Sequence, residues 1–159
     1  MYTTIVKILE SGLSRDEFIQ LLNDEMSEPN LIILDPEDEN YDPNNPIIKR
    51  AEGKIRKADT LIDAFLRGLF TLPLTTTPQM IEDLSTDISI HFIHEHRHRK
   101  AMPEDLIIKF KDNMKLLNQI QRGEVKPGID ETTERADIII RTDKTSTDKT
   151  FTDDYMADF

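Results

Sequence analysis

The sequence predicts a mainly α-helical, compact bundle of four to five helices with short connections, and three observations support this fold class. Apolar residues recur at three- and four-residue intervals along three consecutive segments between residues 51 and 123. Pro78 and Pro103 precede the second and third segments, and Gly123 follows the third, as expected for helix starts and ends. The chain has 159 residues, which is enough for one domain with a modest core.

Two short helices are predicted before these segments. Residues 3–9 are rich in apolar side chains, and Ser11-Gly12 ends that stretch. Ser14 and Glu17 have the spacing of a capping box, in which each side chain satisfies a free backbone N–H group of the other residue. A second helix is therefore predicted to begin after Ser14 and to end near Glu25.

Residues 27–46 are predicted to form an acidic, Pro-rich loop. Four prolines alternate there with Asp, Glu and Asn, and the apolar run 31–34 interrupts them as either a short strand or a plug against the helices. Asp35, Asp38 and Asp42 carry oxygen ligands suited to calcium. The spacing and the central glycine of an EF-hand loop are absent, so we interpret this segment as a solvated loop.

The long helix is predicted from about Ile47 to Phe70. It contains Gly53 and Gly68, each of which costs about 1 kcal/mol relative to alanine within a helix. Such glycines predict close approach by a neighbouring element. The core is predicted to consist of Ile55, Ile62, Leu66, Leu69, Ile81, Leu84, Ile88, Phe110, Leu117 and Ile120.

The net charge of −11 is unevenly distributed. Residues 1–50 contain 4 Lys/Arg and 11 Asp/Glu, residues 51–125 contain 11 of each, and residues 126–159 contain 5 and 9. Binding to nucleic acid by phosphate neutralisation requires the opposite sign. The acidic flanks suit a basic protein partner or a conduit through which DNA slides. Alternatively, they only confer solubility.

Other function classes find little support in the sequence. There is no cysteine, hence no disulfide framework or thiolate chemistry. The apolar runs are too short for a membrane span, and no signal peptide is evident, so we expect a soluble protein that binds no membrane. Glycine-rich phosphate loops and the G-x-S-x-G motif are also absent. We therefore predict no enzymatic activity, no catalytic or cofactor-binding residues and no metal.

A histidine cluster is the one exception to this prediction. His94, Glu95 and His98 satisfy the H-E-x-x-H pattern of zinc-dependent hydrolases, in which the two histidines share a helical face. A catalytic zinc site needs a third protein ligand, and Glu104 and Glu124, at a helix start and in a turn, do not supply one convincingly.

We interpret the cluster instead as a basic helix end. His96, Arg97 and the residues after them are placed in a last helical turn, where positive groups complement the helix dipole. A small helical DNA-binding regulator that uses Arg97, Arg99 and Lys100 is a further alternative, which the acidic total charge disfavours.

After residue 128 the composition changes, which predicts a helical domain at 1–128, with the loop 27–46 inserted, and an extended, mobile C-terminal arm at 129–159. Residues 136–140 are a candidate strand, and residues 141–154 are rich in Thr, Asp and Lys. Apolar side chains then return at the end of this polar segment, as in segments that become ordered on a partner. The predicted partner-binding anchors are Phe151, Tyr155, Met156 and Phe159.

Several segments resemble the Mu-like prophage protein thirty-six family. The most specific pieces are Ile62-Asp63 and the Leu-Pro-Leu sequence at 72–74. The similar segments are residues 58–74, Thr77-Pro78, residues 83–87, residues 120–128 and residues 150–159.

This resemblance implies a structural head–tail adaptor that assembles as a ring beneath the phage portal. The implied partners are the portal, the tail or stopper proteins and further copies of the same chain, with DNA passing through the lumen without specific binding. The implied location is the host cytoplasm during synthesis and the head–tail junction of the virion after assembly.

Overall fold

A computed structural model describes residues 1–26, 32–98 and 101–128 of the chain. Apart from an isolated bridge between Arg67 and Phe70, these residues form helices and turns, which confirms the mainly α-helical fold class. The helices are α1 (Ile5–Glu10), α2 (Arg15–Leu22), α3 (Pro46–Leu66), α4 (Gln79–Arg97) and α5 (Glu104–Gln121). Within the described ranges, no helix combines the length and the apolar character needed to cross a membrane.

The helices begin where the sequence places capping residues. Ser14 Oγ accepts a hydrogen bond from the Glu17 backbone N–H at 3.2 Å, and Asn45 Oδ1 accepts one from Ile47 N–H at 2.9 Å. Pro78 and Pro103 occupy the positions immediately before α4 and α5, which confirms both predicted starts.

The end of α3 differs from the prediction. The helix ends at Leu66 and not near Phe70, because Gly68 has a φ of +100° and leaves the helical conformation. The predicted close approach at the glycines is also wrong, since a Cβ built at Gly53 or Gly68 meets nothing within 4 Å. Gly68 therefore serves to stop the helix, and Gly53 lies on an exposed face.

The fold is organised around α4, which packs against each of the other four helices. One apolar cluster joins α1, α2 and the first half of α3, and includes Ile93 of α4. The second cluster joins the later half of α3 to α4 and α5. Both α3 and α4 contribute residues to each cluster, so these two helices join the clusters.

The predicted core is largely confirmed, since eight of its ten residues are buried. Leu69 and Phe110 are half-buried instead. Leu69 lies beyond the end of α3, where the helical stripe no longer holds it against the core. In the loop, Ile32 and Leu34 are buried in the first cluster, so this part of the apolar run acts as a plug and not as a strand.

A buried polar network attaches the N-terminal residues to α3 and α4. Asp59 is 9% exposed and accepts hydrogen bonds from the Tyr2 backbone N–H at 3.1 Å and from Ser85 Oγ at 2.7 Å. The Tyr2 hydroxyl donates to Asp63, and burial together with this carboxylate raises the pKa of Tyr2. The hydroxyl groups of Thr3 and of Thr86 on α4 form a hydrogen bond of 2.7 Å.

We predict that Asp59→Ala destabilises the protein by on the order of 3 kcal/mol. The substitution leaves Tyr2 N–H and the Ser85 hydroxyl without their acceptor, and each unsatisfied buried group costs about 1–3 kcal/mol. Chemical denaturation measures the free energy of unfolding. Asp112→Ala, which removes an exposed ion pair with Lys115, is the control and should change it by less than about 0.5 kcal/mol. Equal stability of the two variants would contradict a structural role for Asp59.

Candidate interaction surface

The described part of the acidic loop is held in shape by its own carboxylates. Oδ1 of Asp35, Asp38 and Asp42 each accepts the backbone N–H two residues further along the chain, at 2.9, 2.8 and 2.8 Å. The three carboxylates are exposed and lie in successive turns that lead into α3. The loop therefore presents a fixed, negatively charged surface.

A network of ion pairs joins the end of α4 to the segment that follows α2. Asp24 Oδ2 lies 2.9 Å from His96 Nε2 and 3.4 Å from Arg50 Nε, and Asp24 Oδ1 lies 3.5 Å from Arg97 Nη1. The hydrogen bond with His96, assisted by the two guanidinium groups, holds the pKa of Asp24 below its usual value. Arg50 also pairs with Glu25. The two carboxylates that follow α2 thus match the positive groups of α4 and α3.

This network bears on the predicted basic helix end. The helix stops at Arg97, so His98 is its capping residue and not part of the last turn. Arg97 pairs within the protein, whereas Arg99 and Lys100 lie outside the described residues. Of the three groups assigned to DNA binding, the one that the structure describes is therefore committed to an internal contact.

Two histidines of α4 are held in apolar surroundings. His94 is 7% exposed, its Nδ1 has no hydrogen-bond partner among the described residues, and its Nε2 lies 4.0 Å from Glu17 Oε1. The His91 ring stacks on Phe110 with 4.0 Å between ring centroids. Burial lowers the pKa of both histidines, because a desolvated imidazolium is unfavourable.

The geometry gives little support to the zinc alternative. The rings of His94 and His98 are 6.3 Å apart, and Glu95, which would serve as general base, pairs with Lys57 at 3.2 Å. Lys57 Nζ also lies 3.8 Å above the Phe92 ring. In the ranges that the structure describes, no three His, Cys, Asp or Glu residues are grouped as metal ligands. The absence of a metal site remains a prediction.

The predicted arm anchors cannot be placed on this surface. Phe151, Tyr155, Met156 and Phe159 lie outside the described residues, as do the candidate strand and the rest of the arm. The boundary between domain and arm at 128/129 likewise stays a prediction.

Sequence reasoning missed an open groove beside α1. Val6 is 36% exposed and Leu9 is half-buried, and both face the segment Leu34–Glu37 across a cavity of about 710 Å³. One signal was available in the sequence, because Val6 is an apolar residue outside the face that Ile5 and Ile8 bury.

Comparison with known proteins relates the chain to a phage protein family and to a phage protein. A family model described as "Bacteriophage Mu, Gp36" matches residues 4–138, which is most of the chain. Gene product J of Escherichia phage Mu is 25% identical over 83 residues, covering 52% of this chain and 56% of that protein. The chain thus matches about half the length of this curated relative.

We predict that acidification destabilises the fold through His91 and His94. Their folded-state pKa values lie below the unfolded value of about 6.5, so the unfolded chain binds more protons as the pH falls. The stabilisation is complete above about pH 6.5 and decreases as the pH falls towards the folded pKa values.

Thermal unfolding between about pH 7.5 and pH 5.5 should show a falling midpoint, with a smaller fall in His94→Gln. The exposed His98→Gln is the control, and a pH dependence identical in all three proteins would contradict the assignment.

We also predict that the protein carries no stoichiometric zinc. Among the described residues, no group of three His, Cys, Asp or Glu side chains could hold a metal ion. Elemental analysis of protein purified without a histidine tag is the measurement. Stoichiometric zinc that is lost on His94→Ala, but retained on the neighbouring His96→Ala, would instead support the hydrolase alternative.

Proposed function

The chain belongs to the bacteriophage Mu Gp36 family, and from this premise we propose that this phage protein is a structural adaptor at the head–tail junction. In this proposal, copies of the chain close into a ring between the portal and the tail or stopper proteins. The protein acts through its shape and its contacts and has no catalytic role.

The observation that carries the proposal is the family match over most of the chain, combined with the helical body. The body is built around α4, which contacts every other helix and so fixes their relative positions. Such a body suits repeated assembly, because identical rigid units present the same surfaces at each position of a ring. Ring closure requires two different patches on each subunit, since the contacts are heterologous.

The charge distribution supports a passage for DNA. The fixed carboxylates of the acidic loop are exposed, and the net charge of the chain is −11. Carboxylates facing the lumen repel phosphates, so DNA moves through the ring without binding to it. For this reason the proposal includes no nucleic acid as a specific binding partner.

The arm supplies the remaining contact in this proposal. Phe151, Tyr155, Met156 and Phe159 are aromatic or flexible apolar side chains, which bury large areas at interfaces. We assign them to a neighbouring subunit or to the portal. Many weak contacts of this kind, made at the same time, give a tight joint through effective concentration.

We predict that the protein binds the portal of its own phage, and that deletion of residues 145–159 weakens this binding at least about tenfold. Analytical ultracentrifugation of the mixed components measures complex formation. A full-length variant with serine at the four anchor positions should reproduce the loss. The matched control replaces Thr145, Thr147, Thr150 and Thr152 by serine and should bind as the unmodified chain does.

The possible outcomes separate the parts of this proposal. Unchanged binding by the truncated protein would remove the arm from the mechanism but leave the adaptor role intact. Failure of both the full-length and the truncated protein to bind portal would contradict the adaptor role itself.

A further inference from the structure

The groove beside α1 has an apolar floor and an acidic rim. Leu34, which is 5% exposed, Leu9 and Val6 provide the apolar surface, together with Pro36. Glu10, Asp35 and Glu37 line the same cavity and are exposed. The groove thus combines apolar side chains with three carboxylates.

Both walls of the groove are held in place. On one side, α1 is attached to α4 by the ion pair between Lys7 and Glu82 and is preceded by Thr3, whose hydroxyl contacts Thr86. On the other side, Asp35 accepts the Glu37 backbone N–H at 2.9 Å, which fixes the turn that carries the rim. A preformed site lowers the entropic cost of binding, because little must be ordered when a ligand enters.

The rim carboxylates lack a cation within the described residues. None of the ion pairs among these residues involves Glu10, Asp35 or Glu37. Lys7, the lysine of α1, is directed to Glu82 on α4 instead. The negative potential of the rim is therefore not neutralised by a cation from this part of the protein.

The negative charge of the rim indicates which kind of partner the groove binds. We propose that the groove binds a segment of a partner protein in which an apolar side chain is flanked by lysine or arginine. The apolar side chain lies on Val6, Leu9 and Leu34, while the cations pair with the rim. The end of this chain is a poor occupant, because residues 151–159 contain three aspartates and no lysine or arginine. A second copy is disfavoured too, since it would bring further acidic loops towards the rim.

The groove lies on the helical body and is separate from the arm, so a partner can bind there in the absence of a portal. Binding to the groove is therefore measured on the protein alone, and failure of one proposal does not decide the other.

The test is a binding experiment on the full-length, isotope-labelled protein. A synthetic peptide in which lysine and leucine alternate is the probe, and the same peptide with glutamate for lysine is the comparison. NMR titration should shift the amide signals of Val6, Leu9, Leu34, Asp35 and Glu37 with the basic peptide only. The double variant Glu10→Lys/Glu37→Lys should weaken binding at least about tenfold. Glu104→Lys/Asp105→Lys, with the same charge change at exposed positions of α5, should bind as the unmodified protein does.

A second variant tests the apolar floor. Val6→Ser keeps the charge and changes an exposed position, so the fold should persist while binding weakens several-fold. Equal loss in the α5 variant would reduce the effect to total charge and overturn the proposal. So would a peptide of residues 151–159 that occupies the groove more tightly than the basic peptide. Signal changes in the groove that depend on protein concentration alone would assign it to a second copy and likewise contradict the proposal.

Discussion

The fold depends on the burial of α4 among the other four helices. Three polar residues of this helix, Ser85, Thr86 and Ser89, are buried. Ser85 and Thr86 are accommodated by hydrogen bonds to Asp59 and to the Glu82 carbonyl, at 2.7 and 2.9 Å. Because unsatisfied buried polar groups are costly, the bond between Ser85 and Asp59 helps to fix α3 against α4, whereas Ser89 Oγ has no partner among the described residues.

The ion pairs on the surface extend the same arrangement. Glu82, Asp87 and Glu95 of α4 pair with lysines of α1, α5 and α3, respectively. Exposed pairs of this kind contribute about 0–1 kcal/mol each, so their main effect is to match charges between helices. Among the described residues, these junctions pair lysines with the carboxylates of α4, whereas no ion pair involves the carboxylates at the groove rim.

This division of charge bears on how the proposed adaptor would work. A subunit in a closed ring needs two dissimilar patches, and the proposals assign different chemistry to the groove and the arm. The groove combines an apolar floor with a rim of carboxylates, whereas the arm carries aromatic side chains among aspartates. Because their chemistry differs, the groove and the arm suit different binding partners.

The sequence by itself determined the helix starts, the helical fold class and most of the core. These features depend on neighbouring residues: Ser14 and Asn45 cap helices locally, and apolar spacing places eight predicted residues in the interior. Features that depend on contacts between residues distant in sequence were decided by the tertiary structure alone. Asp59 acquires its role from Tyr2, which lies 57 residues earlier, and His94 is buried because α4 lies among the other helices. The groove likewise exists because α1 and the segment Leu34–Glu37, distant in sequence, pack side by side.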